Sequence, residues 1–214
     1  YLECERGRFA DSARDFAKSL DLDASDPDTL QLYSLSLLME GRLKQALQIR
    51  LTLRKLEPFV PVYNVFTAEA MQLNGDIAGG AALLASLPAD GAVGAQRNGY
   101  LALAYAAQGR YAQAADTIAL TTPDQAVIPM AVVKQAADII RKAPARVAAS
   151  GPTPTSQSIL SFVYAFAGAP EKFLDASERS VTAGSTLTVG EWTEWHPALA
   201  GARTGVRIAE PSNR

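Results

Sequence analysis

Apolar residues recur every three or four positions along most of this chain, the spacing that puts one greasy stripe on a helix. Residues 8 to 20 carry Phe9, Ala13, Phe16 and Leu20 on one face. Residues 28 to 40 and 42 to 56 predict a hairpin with Leu30, Tyr33, Leu37, Leu43, Leu47 and Leu51 turned inward. A second pair is expected over 61 to 74 and 76 to 87, then a turn at Leu87-Pro88-Ala89-Asp90-Gly91, then a third pair over 94 to 108 and 110 to 120. Asp124 to Arg141 continues the pattern with Val127, Met130, Val133, Ala137 and Ile140 in step. Ser150-Gly151-Pro152-Thr153-Pro154-Thr155 reads as a linker, because neither proline fits inside a helix there. Beyond it, Gln157 to Ala167 and Pro170 to Thr182 flank Gly168, with Ile159, Phe162, Val163 and Phe166 on one arm and Phe173, Leu174, Ser177 and Val181 on the other. The expected class is all-α.

These helices are punctuated at a fixed interval. Gly7, Gly41, Gly75 and Gly109 stand 34 residues apart, and the second position after each is Phe9, Leu43, Ile77 or Tyr111. Five residues past each glycine comes a small residue, Ser12, Ala46, Gly80 or Ala114. A glycine can turn left-handed where one helix must end and the next begin, and a small residue early in the second helix lets two backbones approach. Pro58 and Pro61 flank the boundary between two such units, where one helix stops and another starts. The Gly79-Gly80 pair is expected to weaken its helix by about 1 kcal/mol per glycine.

This pattern resembles the tetratricopeptide repeat family, best at Gly109-Arg110-Tyr111-Ala112-Gln113-Ala114-Ala115 with Leu103, Ala104 and Tyr105 upstream. The family's signature tryptophan is replaced by Leu30, Asn64 and Asn98, and Ala24 stands where a unit-ending proline belongs. The resemblance implies a right-handed α-solenoid of helical hairpins: a partial first unit and units 27–60, 61–94 and 95–120 within residues 1–120, degenerate helical repeats over 121–185, and a capping segment over 186–214. Tyr1 enters the repeat at about the ninth position of a first helix, which suggests a piece of a longer protein.

The resemblance further implies which first-helix positions line the concave face. They are Gln31, Leu35, Leu38 and Met39, then Val62, Val65, Glu69, Gln72 and Leu73, then Gln96 and Leu103, with Asp28, Gly99, Ala106 and Ala107 at the remaining places. Most are apolar, and the lysine and asparagine set that grips a peptide's terminal carboxylate in some family members is missing. Such a groove is expected either to be closed or filled by the chain after residue 120, or to take a hydrophobic partner helix or a second copy. The implied function is a non-enzymatic scaffold for a protein or peptide partner. The stretch from Trp192 through Pro197 to the Gly205-Val206-Arg207-Ile208 run bears a lesser similarity to the closing element of repeat regions appended to bacterial class III nucleotide cyclases and winged-helix regulators. That similarity suggests an accessory region of a signalling or regulatory protein.

Composition narrows the partners. The 214 residues are 48% hydrophobic with a net charge of −2 and no long run of one sign, which argues against nucleic acid and anionic membrane surfaces. No apolar run reaches the roughly 18 residues of a membrane helix. Cys4 is the single cysteine and His196 the single histidine, so neither a disulfide within the chain nor a cysteine–histidine zinc site can form, and a cytoplasmic setting is expected. No cofactor, metal or catalytic residue is assigned. His196, before Pro197, is expected to serve structure, and Asp21, Asp23, Asp26 and Asp28 to cap a helix around Pro27 rather than hold calcium. Gly75 to Gly80 lacks the lysine–serine pair of a phosphate loop. The competing expectation is an α/α enzyme such as a lyase or glycosidase. It requires facing carboxylates or histidines, and Glu69 is the one ionisable inner-face position between hydrophobic neighbours.

Overall fold

The computed structural model describes residues 8–126, 129–143, 159–172 and 196–200, and no strand occurs among them. The helices are α1 (Phe9–Leu22), α2 (Pro27–Met39), α3 (Leu43–Leu56), α4 (Pro61–Leu73), α5 (Ile77–Ala85), α6 (Gly94–Ala107), α7 (Tyr111–Ala119), α8 (Met130–Arg141) and the short α9 (Phe162–Phe166). From α1 to α8 each helix packs against the next, and α4 also touches α6. Expectations at Cys4, Val127, the 150–155 linker, Phe173 to Val181, Trp192 and Trp195 fall outside the described residues.

The glycine ladder marks equivalent bends. Gly41, Gly75 and Gly109 have φ of 72°, 93° and 74°. At each, the glycine N–H donates to the carbonyl three residues back, Leu38, Gln72 or Ala106, and the following N–H donates to Leu37, Met71 or Tyr105. These paired bonds satisfy carbonyls that a helix end leaves open. Gly168, with φ 72°, repeats them onto Ala165 and Tyr164.

Helices α2, α4, α6 and α8 end at Met39, Leu73, Ala107 and Arg141, each 34 residues after the last. The interval therefore outlasts the glycines. Ala143 stands where a fifth glycine would fall, and its N–H still donates to Ile140 at 3.1 Å. What ends early is the glycine mark, not the spacing of the helices. The start of α8 differs from the Asp124 expected: Thr122 to Ala126 form a turn, and Pro129 immediately precedes the helix at Met130.

Entry into α2 and α5 also has a local cause, a side-chain cap. Asp26 Oδ2 accepts the Thr29 N–H at 2.9 Å with Pro27 in the first turn, and Asp76 Oδ1 accepts the Gly79 N–H at 2.9 Å. Asn64 ties the preceding loop down by donating to the carbonyls of Pro58 (2.8 Å) and Val60 (3.2 Å). Asn98 does comparable work by donating to Thr121 at 3.4 Å and accepting from Arg97.

The small-residue column Ser12, Ala46, Gly80 and Ala114 is buried throughout. At Gly80 the contact is closest: a Cβ there would lie 2.6 Å from the Ala68 carbonyl oxygen on α4. Gly80 is thus the condition for α5 to sit on α4, as expected of a small residue at this place, and the close approach stands against its cost to the helix. Core residues fall into three successive clusters: Leu37, Leu38, Ala46 and Leu73; then Val65, Leu84 and Tyr100 with their neighbours; then Leu103, Ile118, Ile140, Phe162 and Leu199 with theirs. The stripe buried on α3 is Ala46, Arg50 and Leu53, while the expected Leu43, Leu47 and Leu51 are half-buried.

Candidate functional site

The eleven positions assigned to the concave face divide by burial. Leu38, Val65, Glu69, Gln72, Leu73 and Leu103 are buried; Gln31, Leu35, Met39, Val62 and Gln96 are half-buried. Leu38 and Leu73 share a core cluster with Leu37 and Ala46, and Val65 lies with Ala68 and Tyr100. Leu103 belongs to the cluster built with α8, the Ile159–Ser161 turn and α9, so chain beyond residue 120 packs against this side chain. Of those six, Leu38, Val65, Leu73 and Leu103 serve packing between helices, whereas Glu69 and Gln72 are buried polar groups.

Behind this face lies a polar cluster drawn from four helices. Arg50 of α3, Glu69 of α4 and Tyr100 of α6 are only 1%, 2% and 2% exposed. A terminal nitrogen of Arg50 donates to Gln31 Oε1 on α2, and the guanidinium sits 5.2 Å from the centre of the Phe66 ring. The Thr67 hydroxyl donates to the Arg50 carbonyl at 3.3 Å, and Gln72 Nε2 donates to the Tyr100 carbonyl at 3.4 Å. Arg50 Nε and Gln72 Oε1 are buried without completing a hydrogen bond, and the Glu69 carboxyl and Tyr100 hydroxyl neighbour each other without closing a well-formed one. Buried groups of this kind are uncommon and expensive.

The charges respond accordingly. Burial pushes the Glu69 carboxyl up to about 7, against the opposing pull of the Tyr100 hydroxyl and the Arg50 guanidinium. Burial lowers Arg50 to about 10, with the Glu69 carboxylate as the main counterweight. Tyr100 is raised well above its ordinary value, chiefly by burial and next by the Glu69 charge. Tyr63, at the edge of the cluster, is raised by burial and then by Asp28, Glu57 and Asp26.

Arg50 and Tyr100 escape a search for apolar periodicity, because one is charged and the other carries a hydroxyl. A signal for Arg50 does exist. It lies four residues after Ala46, the close-packing position, and hence on the same stripe of α3.

The other candidates serve structure. His196 Nδ1 accepts the Ala198 N–H at 3.2 Å and so caps the Pro197–Leu199 turn. Asp23 accepts from the backbone and hydroxyl of Ser25 at 2.9 and 2.8 Å, and Asp26 caps α2. Gly75 to Gly80 is a helix stop and then a helix cap. Among the described residues no group of three or more histidine, cysteine, aspartate or glutamate side chains is placed to hold a metal ion, and no helix is long and apolar enough to cross a membrane. No protein-family model, curated protein or solved structure matches the chain.

Proposed function

We propose that this chain is a non-enzymatic docking scaffold: a right-handed α-solenoid of tetratricopeptide-like hairpins that serves as the accessory region of a bacterial signalling or regulatory protein. The observation that carries this reading is the equal spacing of Met39, Leu73, Ala107 and Arg141 at helix ends, with one bend recurring at Gly41, Gly75 and Gly109. A fold that repeats one hairpin presents equivalent side chains at regular intervals, which suits the grip of an extended or helical partner. The half-buried positions Gln31, Leu35, Met39, Val62 and Gln96 are those available to a protein or peptide partner, or to a second copy, without opening the stack.

The rival enzyme reading draws less support. A lyase or glycosidase needs reacting groups that a substrate can reach. The groups around Glu69 are Arg50 and Tyr100, and all three are almost wholly enclosed.

A Leu35→Glu/Val62→Glu variant tests the proposal. Both sites are half-buried, so helicity by circular dichroism should survive. Self-association read by light scattering over a range of concentrations, or cross-links to a partner at this face, should be lost. A folded variant that retains all of the wild-type associations removes the reading.

A further inference from the structure

Arg50 and Glu69 occupy positions that the rest of the stack fills with apolar side chains. One and two periods after Arg50 come Leu84 and Ile118, both fully buried. One period before Glu69 is Leu35, and one and two periods after it are Leu103 and Ala137. Tyr100 is the counterpart of Phe66. The fold therefore closes at these positions with hydrocarbon, and buried ion pairs seldom add stability over it. Charges kept at such positions call for another role.

The arrangement around them supplies one. Arg50 spends a terminal nitrogen on Gln31 and leaves Nε unbonded, while Glu69, one turn beyond the Phe66 ring under the guanidinium, has the Tyr100 hydroxyl as its neighbour and completes a well-formed bond at neither oxygen. We propose that Glu69 and Arg50 form a proton-driven partner exchange: on releasing its proton to solvent, Glu69 takes the Arg50 guanidinium from Gln31. Proton occupancy inside the stack thereby sets the state of a half-buried side chain on its inner face.

The groups facing Glu69 are few. From α3 comes Arg50, from α6 Tyr100, and α5 carries no titratable side chain at all. Arg97 of α6 is already committed to the Leu84 carbonyl at 3.0 Å and to Asn98 at 2.8 Å. Tyr63 lies two turns away on α4 and interacts with Arg50, Asp28, Glu57 and Asp26. An ionised Glu69 thus has Arg50 as its one cation, and a protonated Glu69 leaves Arg50 to the neutral amide of Gln31. Burial that lifts the carboxyl to about 7 puts the exchange near neutral pH. Its effect on docking rests on the reading of Gln31 as a surface position, whereas the exchange itself does not.

Carboxyl, guanidinium and side-chain amide signals, tracked by nuclear magnetic resonance on the full chain from about pH 5 to about pH 8, test the exchange. The Glu69 carboxyl, the Arg50 Nε–H and the Gln31 amide should move with one midpoint in the wild type. In the near-isosteric Glu69→Gln variant the Arg50 and Gln31 signals should stay still. Gln31→Leu removes the competing acceptor and should lower the Glu69 midpoint by about one pH unit. An Arg50 or Gln31 signal that is static while Glu69 titrates overturns the proposal, as does movement that persists in Glu69→Gln or a midpoint unchanged in Gln31→Leu. None of these readouts involves a partner, so failure of the docking proposal leaves them intact.

Discussion

Gly75 and Gly80 stand five residues apart in the same unit, and alanine at either should destabilise the protein for unrelated reasons. At Gly75 a Cβ would meet nothing within 4 Å, so the whole cost is the left-handed backbone at φ 93°. For an L-residue that is about 1–2 kcal/mol. D-alanine at the same place carries no such penalty and should stabilise by about 0.4–1 kcal/mol through the unfolded chain. Gly80 lies inside α5, where alanine gains about 1 kcal/mol of helix propensity. Against this, its Cβ would stand 2.6 Å from the Ala68 carbonyl oxygen and 2.7 Å from Gln72 Cγ. The side chain can turn aside, but the carbonyl moves only if α4 moves. Overpacking costs about 1–3 kcal/mol, so a net loss of about 1–2 kcal/mol is expected from a substitution that propensity alone would favour. Gly79→Ala is the control. Its Cβ would strike only the Asp76 carboxylate, and the cap it disturbs, worth about 1 kcal/mol, cancels the propensity gain. Urea unfolding monitored by circular dichroism gives the three midpoints. A Gly80→Ala protein as stable as the wild type would refute the close approach of α5 to α4, and an unchanged midpoint for Gly75→Ala would refute the left-handed bend.

Stability should depend on pH through Glu69. Its folded value, about 7, lies above the ordinary 4.5, so its contribution is complete below about pH 4 and is lost as pH rises through 7. The full change is of the order of 3 kcal/mol, and the difference between wild type and Glu69→Gln in urea midpoints at acidic and alkaline pH reads it. Replacing the charges by what equivalent positions carry, Arg50→Leu with Glu69→Leu, should match or exceed wild-type stability in thermal unfolding, whereas Arg50→Leu alone should cost about 3–5 kcal/mol above pH 8 by leaving a buried carboxylate unpaired. Arg97→Met strips donors from the Leu84 carbonyl and Asn98 Oδ1 and should cost about 2 kcal/mol in the same assay. Asp26→Ala removes the cap on Thr29 and should cost about 1 kcal/mol.

How much of the fold is legible in the chain depends on how local each cause is. A glycine that must turn left-handed, or a proline that can open a helix but not continue one, acts through its own backbone, so Gly41, Gly75, Gly109, Pro27 and Pro61 announce their places in the chain. The bend near Ala143 lacks the glycine, and its mark in the sequence is instead Pro144, which cannot continue a helix. Apolar rhythm starts α8 too early because Val127 and Met130 keep it going across Pro129, and rhythm alone does not stop at a proline. Burial on the inner face is the least legible property. Periodicity says which way Leu38, Val65 or Leu103 points, but how deeply each is covered depends on how closely the next unit sits, and at Gly80 that is settled by the absence of one methyl group.

The polar cluster is invisible to the repeat because it obeys a different interval. Glu69 comes 19 residues after Arg50, and Tyr100 comes 31 after Glu69; neither is the 34 of the fold. The cluster is assembled across the seams, by residues that occupy different places in successive hairpins. Any one of these groups alone would be a bare polar atom in a dry core. A repeat provides regular positions; a site particular to one place in the stack has to break the regularity. Arg50 and Glu69 break it where α3 and α4 pack together with Tyr100 of α6, and where Gln31 leads from the interior to a half-buried position on α2.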